Sequence, residues 1–147
     1  MTDYTAWPAE NCVPATVQQL ITRFFVLADT NEKSSPDEIS ALFTNDGEMH
    51  GLGGVFRGRP AIREGRAKSW NGIASRHHRV LTVYSRGKEA SDILLIGEIY
   101  ATLVNGRTLN TEFTARLIVD NASGNDPRIS FYKSWADSAP WIKALTG

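Results

Sequence analysis

At 147 residues the chain is sized for one domain with a substantial core. Its 16 basic and 16 acidic residues cancel, which removes the electrostatic case for nucleic acid or an anionic membrane as partner. The single cysteine, Cys12, excludes an internal disulfide framework and fits a reducing compartment.

No apolar run approaches a bilayer span, and the opening MTDYTAWPAEN carries no basic-then-apolar leader. The expectation is a cytoplasmic protein whose residues 1–147 form one domain, with 1–13 as an extended arm. Pro14 suits the first turn of a helix. Behind it Val17, Leu20, Ile21, Phe24, Phe25, Leu27 and Ala28 recur at helical spacing, predicting a helix to about Asp29. Ser35-Pro36-Asp37-Glu38 combines a Ser cap, a first-turn Pro and a Glu three residues after the cap. It predicts a second, short helix with Ile39, Leu42 and Phe43 inward, stopped by Asn45-Asp46-Gly47.

Glu48 to Gly51 reads as a short strand, and Gly51-Leu52-Gly53-Gly54 as a turn into Val55-Phe56. A dinucleotide loop would need its third glycine where Phe56 stands and a helix directly behind it. Arg57-Gly58-Arg59-Pro60 opens a third helix, with Ile62, Ala67 and Trp70 on its buried side and Asn71-Gly72 as its stop. Arg63, Glu64, Arg66 and Lys68 form its solvated face, a basic binding surface being the alternative. From Arg76 the pattern is strand-like: 76–85, a long hairpin over 93–120, then Arg128 to Trp135. Asp137-Ser138 caps a last short helix, Ala139 to Leu145, which returns Trp141 to the domain. Helices followed by strands make an α+β domain.

The hairpin carries the chemical anomaly. Asn105-Gly106 suits a two-residue type I′ turn, which would place Val104 opposite Arg107, Tyr100 opposite Thr111 and Glu98 opposite Phe113. One face then holds Leu94, Ile96, Glu98, Tyr100 and Thr102 beside Leu109, Thr111, Phe113, Ala115, Leu117 and Val119. That face is apolar on its second strand and should be the core. Glu98 falls in its middle. A desolvated carboxyl finds partners or takes up a proton, and one with a raised pKa serves as acid or base near neutrality.

The preceding strand can bring His78 opposite Tyr100, or His77 inward if the register slips by one. The two histidines point to opposite faces and no carboxylate lies at ligand spacing, so no metal site is expected. Glu98 as acid/base, His78 as its partner and Tyr100 as a donor are the candidate catalytic residues. Phe24, Met49, Trp70, Phe113 and Trp135 are the candidate pocket walls. The plainer alternatives are a core histidine bonded to a backbone carbonyl and a Glu98 ion pair with Arg116 or Arg79. Cys12 has no helix start or basic partner to activate it, and no Ser sits in a Gly-x-Ser-x-Gly turn.

The segments VLADTNE, SPDEISALFTNDGEMHG, RGRPAIREG and RHHRVLTVY, with the long Asn-Gly hairpin, resemble the nuclear transport factor 2-like superfamily over residues 14–138. More narrowly they resemble its SnoaL-like branch of polyketide cyclases, dehydratases and isomerases. The resemblance implies a cone: three N-terminal helices packed on a strongly curved antiparallel sheet around an apolar pocket, commonly a homodimer through the outer sheet face. It implies cofactor-free proton transfer on a hydrophobic polyketide- or terpenoid-like molecule, or a non-catalytic binding or protein-interaction domain. The histidine of scytalone dehydratase on the strand before the hairpin matches His78, while its asparagine and one of its pocket tyrosines fall at Ala115 and Gly51. The tyrosine, base and acid of ketosteroid isomerase fall at Phe24, Gly51 and Ala115, and limonene epoxide hydrolase's Asp-Arg-Asp set finds no match.

Overall fold

Among the described residues ten elements follow one another: α1 (Ala15–Ala28), α2 (Ser35–Ser40), β1 (Phe43–Gly51), β2 (Gly54–Arg57), α3 (Arg59–Lys68), β3 (Ile73–Ser85), β4 (Asp92–Leu103), β5 (Thr108–Asp120), β6 (Arg128–Trp135) and α4 (Ala139–Thr146). They come from a computed structural model that describes residues 4–8, 13–51, 53–87 and 89–147. Cys12 and the expectation attached to it lie outside those residues.

Helix α1 starts on Pro14, whose carbonyl accepts the amides of Val17 and Gln18 at 3.0 Å each. Its apolar stripe of Val17, Leu20, Ile21, Phe24, Phe25, Leu27 and Ala28 is buried, the arrangement that stabilises an amphipathic helix through packing more than through propensity. Helix α2 is shorter than its apolar pattern suggested. It ends at Ser40, and Phe43 opens β1 instead of closing the helix. Phe43 is wholly buried all the same, because one inward position serves either secondary structure. Asn45-Asp46-Gly47 lies within β1, where pairing with β6 is irregular between Phe43 and Glu48. A Cβ on Gly47 would lie 3.1 Å from the Phe43 side chain and 3.2 Å from the Ile129 carbonyl.

The six strands form one curved sheet in the order β2-β1-β6-β5-β4-β3. Its neighbours are antiparallel except β1 and β6, which run parallel. The expected all-antiparallel sheet is therefore a mixed one, because the β1–β2 hairpin joins the β3–β6 meander sideways rather than through a turn. On α3, Ile62 and Gly65 are the buried residues, Ala67 is exposed and Trp70 lies past the helix end. Gly65 is what lets the helix approach: a Cβ there would lie 2.6 Å from the Phe56 ring. At the β3 edge, Ala6 donates to the Leu81 carbonyl at 2.9 Å and accepts from Val83 at 3.0 Å, so this part of the arm pairs with the strand beside its irregularity at 80–82.

The β4–β5 connection corrects the hairpin register. The Gly106 amide donates to the Leu103 carbonyl at 2.9 Å, and the Leu103 amide to the Arg107 carbonyl at 2.8 Å. Gly106 has φ +86, whereas Asn105 is not among the residues at positive φ. This is a type I turn followed by a left-handed glycine, a three-residue loop in place of the expected two-residue I′ turn. The extra residue pairs Glu98 with Glu112 and Tyr100 with Asn110. Because side chains alternate with period two, a slip of one turns the whole of β4 over. The core face of β4 is Ile93, Leu95, Gly97, Ile99, Ala101 and Leu103, while β5 keeps Phe113, Ala115, Leu117 and Val119 inside. Helix α4 folds back so that Trp141 packs with Ala101 and Leu103 and donates to Thr111 Oγ1 at 3.2 Å.

Candidate functional site

Glu98 and Tyr100 stand on the outer face of the sheet. Tyr100 is 42 % exposed, and its hydroxyl donates to Glu98 Oε2 at 2.9 Å. The reading of Glu98 as a desolvated acid on the core face is thereby corrected. Arg116, one suggested partner of Glu98, instead grips Asp92 through two bonds of 2.9 Å.

His78 does face inward. Because β3 and β4 both shift by one, it pairs with Ile99, on the core face. Its partner is neither Glu98 nor a backbone carbonyl but Asp29, the residue that caps the C-terminal end of α1. Asp29 Oδ2 accepts the His78 amide at 2.7 Å, and Oδ1 lies 2.5 Å from His78 Nδ1. One carboxylate thus fixes both the backbone and the ring of the histidine. With the proton on Nδ1, Nε2 carries the lone pair. Nε2 bonds to no described residue, and it is not among the fully enclosed polar atoms lacking a partner. The His78 and Asp29 side chains are 12 % and 15 % exposed. Phe25 and Phe113 lie against the imidazole at centroid distances of 5.2 and 5.4 Å.

Burial lowers the pKa of His78 below its ordinary value; the bond to Asp29 opposes that, and the charges of Arg76 and Arg66 add to it. The ring is therefore neutral at physiological pH. Arg76 shares the inner face, opposite Ala101. Its Nε and Nη2 bond to the Ala28 carbonyl at 2.9 and 2.5 Å, its Nη1 and Nη2 to the carbonyl and hydroxyl of Ser69 at 3.0 and 3.1 Å, and its guanidinium lies 4.1 Å above Trp70. Burial and the neighbouring Arg66 pull it down to about 9, still charged at neutrality. Tyr132, buried beneath Phe24, is pushed up to about 12 by burial and stays a neutral phenol.

The expected walls divide. Phe113 lines the imidazole; Phe24 and Met49 are buried in the core. Trp70 borders a cavity of about 310 Å³ between α1, α2 and α3. Trp135 is 46 % exposed and borders a separate cavity of about 450 Å³ with Glu112 and Asp137. Among the described residues no group of three or more His, Cys, Asp or Glu could hold a metal ion, and no helix is long and apolar enough to cross a membrane. Asp29, Arg66, Arg76 and Tyr132 escaped the sequence reading. Two signals were present: an acid at the negative end of an apolar helix, where the dipole disfavours it, and an arginine two residues before His78 on the same strand face.

A six-stranded curved sheet with helices packed against it is the architecture of the nuclear transport factor 2-like superfamily. The sequence matches the SnoaL-like domain over residues 14–124, and the chain belongs to that family. No curated protein matches it. Among solved structures it is similar to an NTF2-like protein of unknown function from Burkholderia pseudomallei, with 17 % identity, TM-score 0.73, and coverage of 90 % of this chain and 99 % of that one. TerC co-crystallised with polyporic acid gives 13 % identity, TM-score 0.74 and coverage of 90 % and 100 %. A hexachlorocyclohexane dehydrochlorinase gives 14 %, 0.69, and 84 % of each chain. At such identities the likeness is one of fold.

Proposed function

We propose that the protein is a cofactor-free enzyme that moves a proton on a small hydrophobic molecule, with His78 as general base and Asp29 as the group that orients it. The observation that carries this is the double hold of one carboxylate on His78, which leaves Nε2 as a neutral lone pair on a ring packed against Phe25 and Phe113. A base held in one tautomer by a half-buried acid is pre-organised to take a proton and return it. Isomerisation, dehydration or cyclisation of a polyketide- or terpenoid-like compound, as in secondary metabolism, needs nothing more. Neighbours named for small organic compounds, the dehydrochlorinase and the TerC complex, support such a substrate. Phe113 and Trp70 remain candidate walls; Glu98, Tyr100 and Trp135 belong to the other face.

That outer face supports a homodimer, since Val55, Tyr84, Leu94, Tyr100 and Trp135 are each more than 40 % exposed on it. The second reading, a ligand-binding or protein-interaction domain without chemistry, is favoured by the close ring packing of Phe25 and Phe113 on the imidazole and on each other. Solvent deuterium exchange separates the two. Enones and β-hydroxyketones incubated with the protein in heavy water should exchange at carbon, and His78→Gln should abolish it. Exchange that survives His78→Gln would overturn the catalytic reading.

A further inference from the structure

On α3 the charged residues do not share one fate. Arg63 reaches Asp37 at 3.3 Å and Lys68 reaches Glu64 at 3.2 Å, with all four side chains more than half exposed. Arg66 departs from them. It follows buried Ile62 by four residues, one helical turn along the same side, so it belongs to the inward flank and not to the solvated face. There burial lowers its guanidinium from the ordinary value, with Tyr132 and Asp29 opposing. Its carbonyl accepts the Ser69 hydroxyl at 2.7 Å, but its guanidinium makes no hydrogen bond or ion pair with a described residue. Its five N–H donors form a rigid fork at the cavity, half-buried and bound to no described group, and so are available to an acceptor that enters there.

One inner carboxylate, Asp29, offsets that charge in part. Arg76 is bonded only to neutral acceptors, the carbonyls of Ala28 and Ser69 and the Ser69 hydroxyl. Asp29 is the acid whose charge both arginines feel, and its two oxygens are already committed to the amide and ring of His78. His78 and Tyr132 are neutral at physiological pH, so two guanidinium charges face one carboxylate.

Arg66 lines the 310 Å³ cavity, whose apolar lining is Leu27, Ile39, Ala67 and Trp70. The rim residues Glu32 and Lys33 are exposed and of opposite sign. We infer that this cavity is an anion subsite: Arg66 takes a carboxylate, or an equally acidic enol or phenol oxygen, of an apolar small molecule whose body rests on Leu27, Ile39 and Trp70. The substrate class is thereby narrowed to organic acids. This rests on reading the His78–Asp29 neighbourhood as a small-molecule site. A planar fork meeting a planar carboxylate gives the two parallel bonds that hold such a group in one orientation, and the volume is at the small end for ligand pockets, about 300–1,000 Å³.

The test uses cinnamate as probe and cinnamamide as its neutral counterpart, titrated calorimetrically into the full chain at neutral pH. Cinnamate should bind about tenfold or more tighter than the amide, the scale of a hydrogen bond to a charged group. Arg66→Met should erase that difference and Arg66→Lys restore part of it, with cinnamamide unaffected by either. Because the Arg66 guanidinium bonds to no described residue, Arg66→Met should leave the thermal midpoint of the unliganded protein unchanged, whereas loss of an arginine retained for stability would lower it. Cinnamate no tighter than cinnamamide, or an affinity that ignores Arg66, overturns the assignment; so does a lowered midpoint with affinity unchanged. The catalytic reading fails separately: cinnamate binding that tracks Arg66 while deuterium exchange ignores His78 keeps the subsite and removes the base.

Discussion

Two carboxylates of this protein each hold a ring-bearing neighbour, on opposite sides of the same sheet. Glu98 accepts the Tyr100 hydroxyl at 2.9 Å in the open, on the outer face. Asp29 holds His78 at 2.5 and 2.7 Å with both side chains under 16 % exposed. The bond lengths differ little and the consequences differ greatly. Water competes for every donor and acceptor of the outer pair, so its net worth is small. Inside, losing either partner strands a desolvated polar group, and the ring's protonation depends on what surrounds it. Burial, and not the presence of an acid beside a donor, separates a candidate catalytic pair from a surface contact.

The widest gap should appear in turnover. His78→Gln should lower proton exchange by about 10²–10⁴-fold, the usual share of a general base. Asp29→Asn should act in the same direction by offering the ring a donor in place of an acceptor, while Glu98→Gln should leave the rate within about twofold. Equal losses from the inner and outer variants would erase the comparison. Stability should separate them next. Asp29→Ala leaves the His78 amide and ring without their acceptor and should cost about 3 kcal/mol in denaturant unfolding, against under about 0.5 kcal/mol for Glu98→Ala.

The pH dependence sharpens the contrast further. His78 has a folded-state pKa below its unfolded value of 6.5, so in acid the unfolded chain binds the proton more readily. The stability contributed by the neutral ring is complete above that value and is lost as pH falls below it. The exchange rate should fall over the same acid range, and His78→Gln should flatten the stability profile. On the outer face, Trp135→Glu should shift a dimer toward monomer in light scattering with melting little changed. The smallest effect belongs to the turn that sets the register: Gly106→Ala, at φ +86, should cost about 1 kcal/mol.

Much of this was legible in the chain. The period of α1 and the turn clusters set the element order, and β6 begins and ends where its apolar run does, at Arg128 and Trp135. The inner face of β5 follows from its own alternation, since Phe113, Ala115, Leu117 and Val119 mark it without reference to a partner. The face of β4 was harder to read. Both of its sides carry apolar residues, Leu94 and Ile96 on one and Ile93 and Leu95 on the other, so the turn alone sets its orientation. An Asn-Gly pair accommodates either loop length, and one residue of difference exchanged Glu98 for Ile99 at the core.

Local residue patterns set the order of helices and strands and the inward parity of β5. They did so because helical and strand periods are local properties of side-chain spacing. The tertiary structure alone decided which acid meets His78, since Asp29 stands 49 positions away and reaches it only where the end of α1 lies against β3. It also decided that Arg66 turns inward while its helix neighbours stay wet. Long-range packing brings such groups together, and a pattern read along the chain contains no term for that distance.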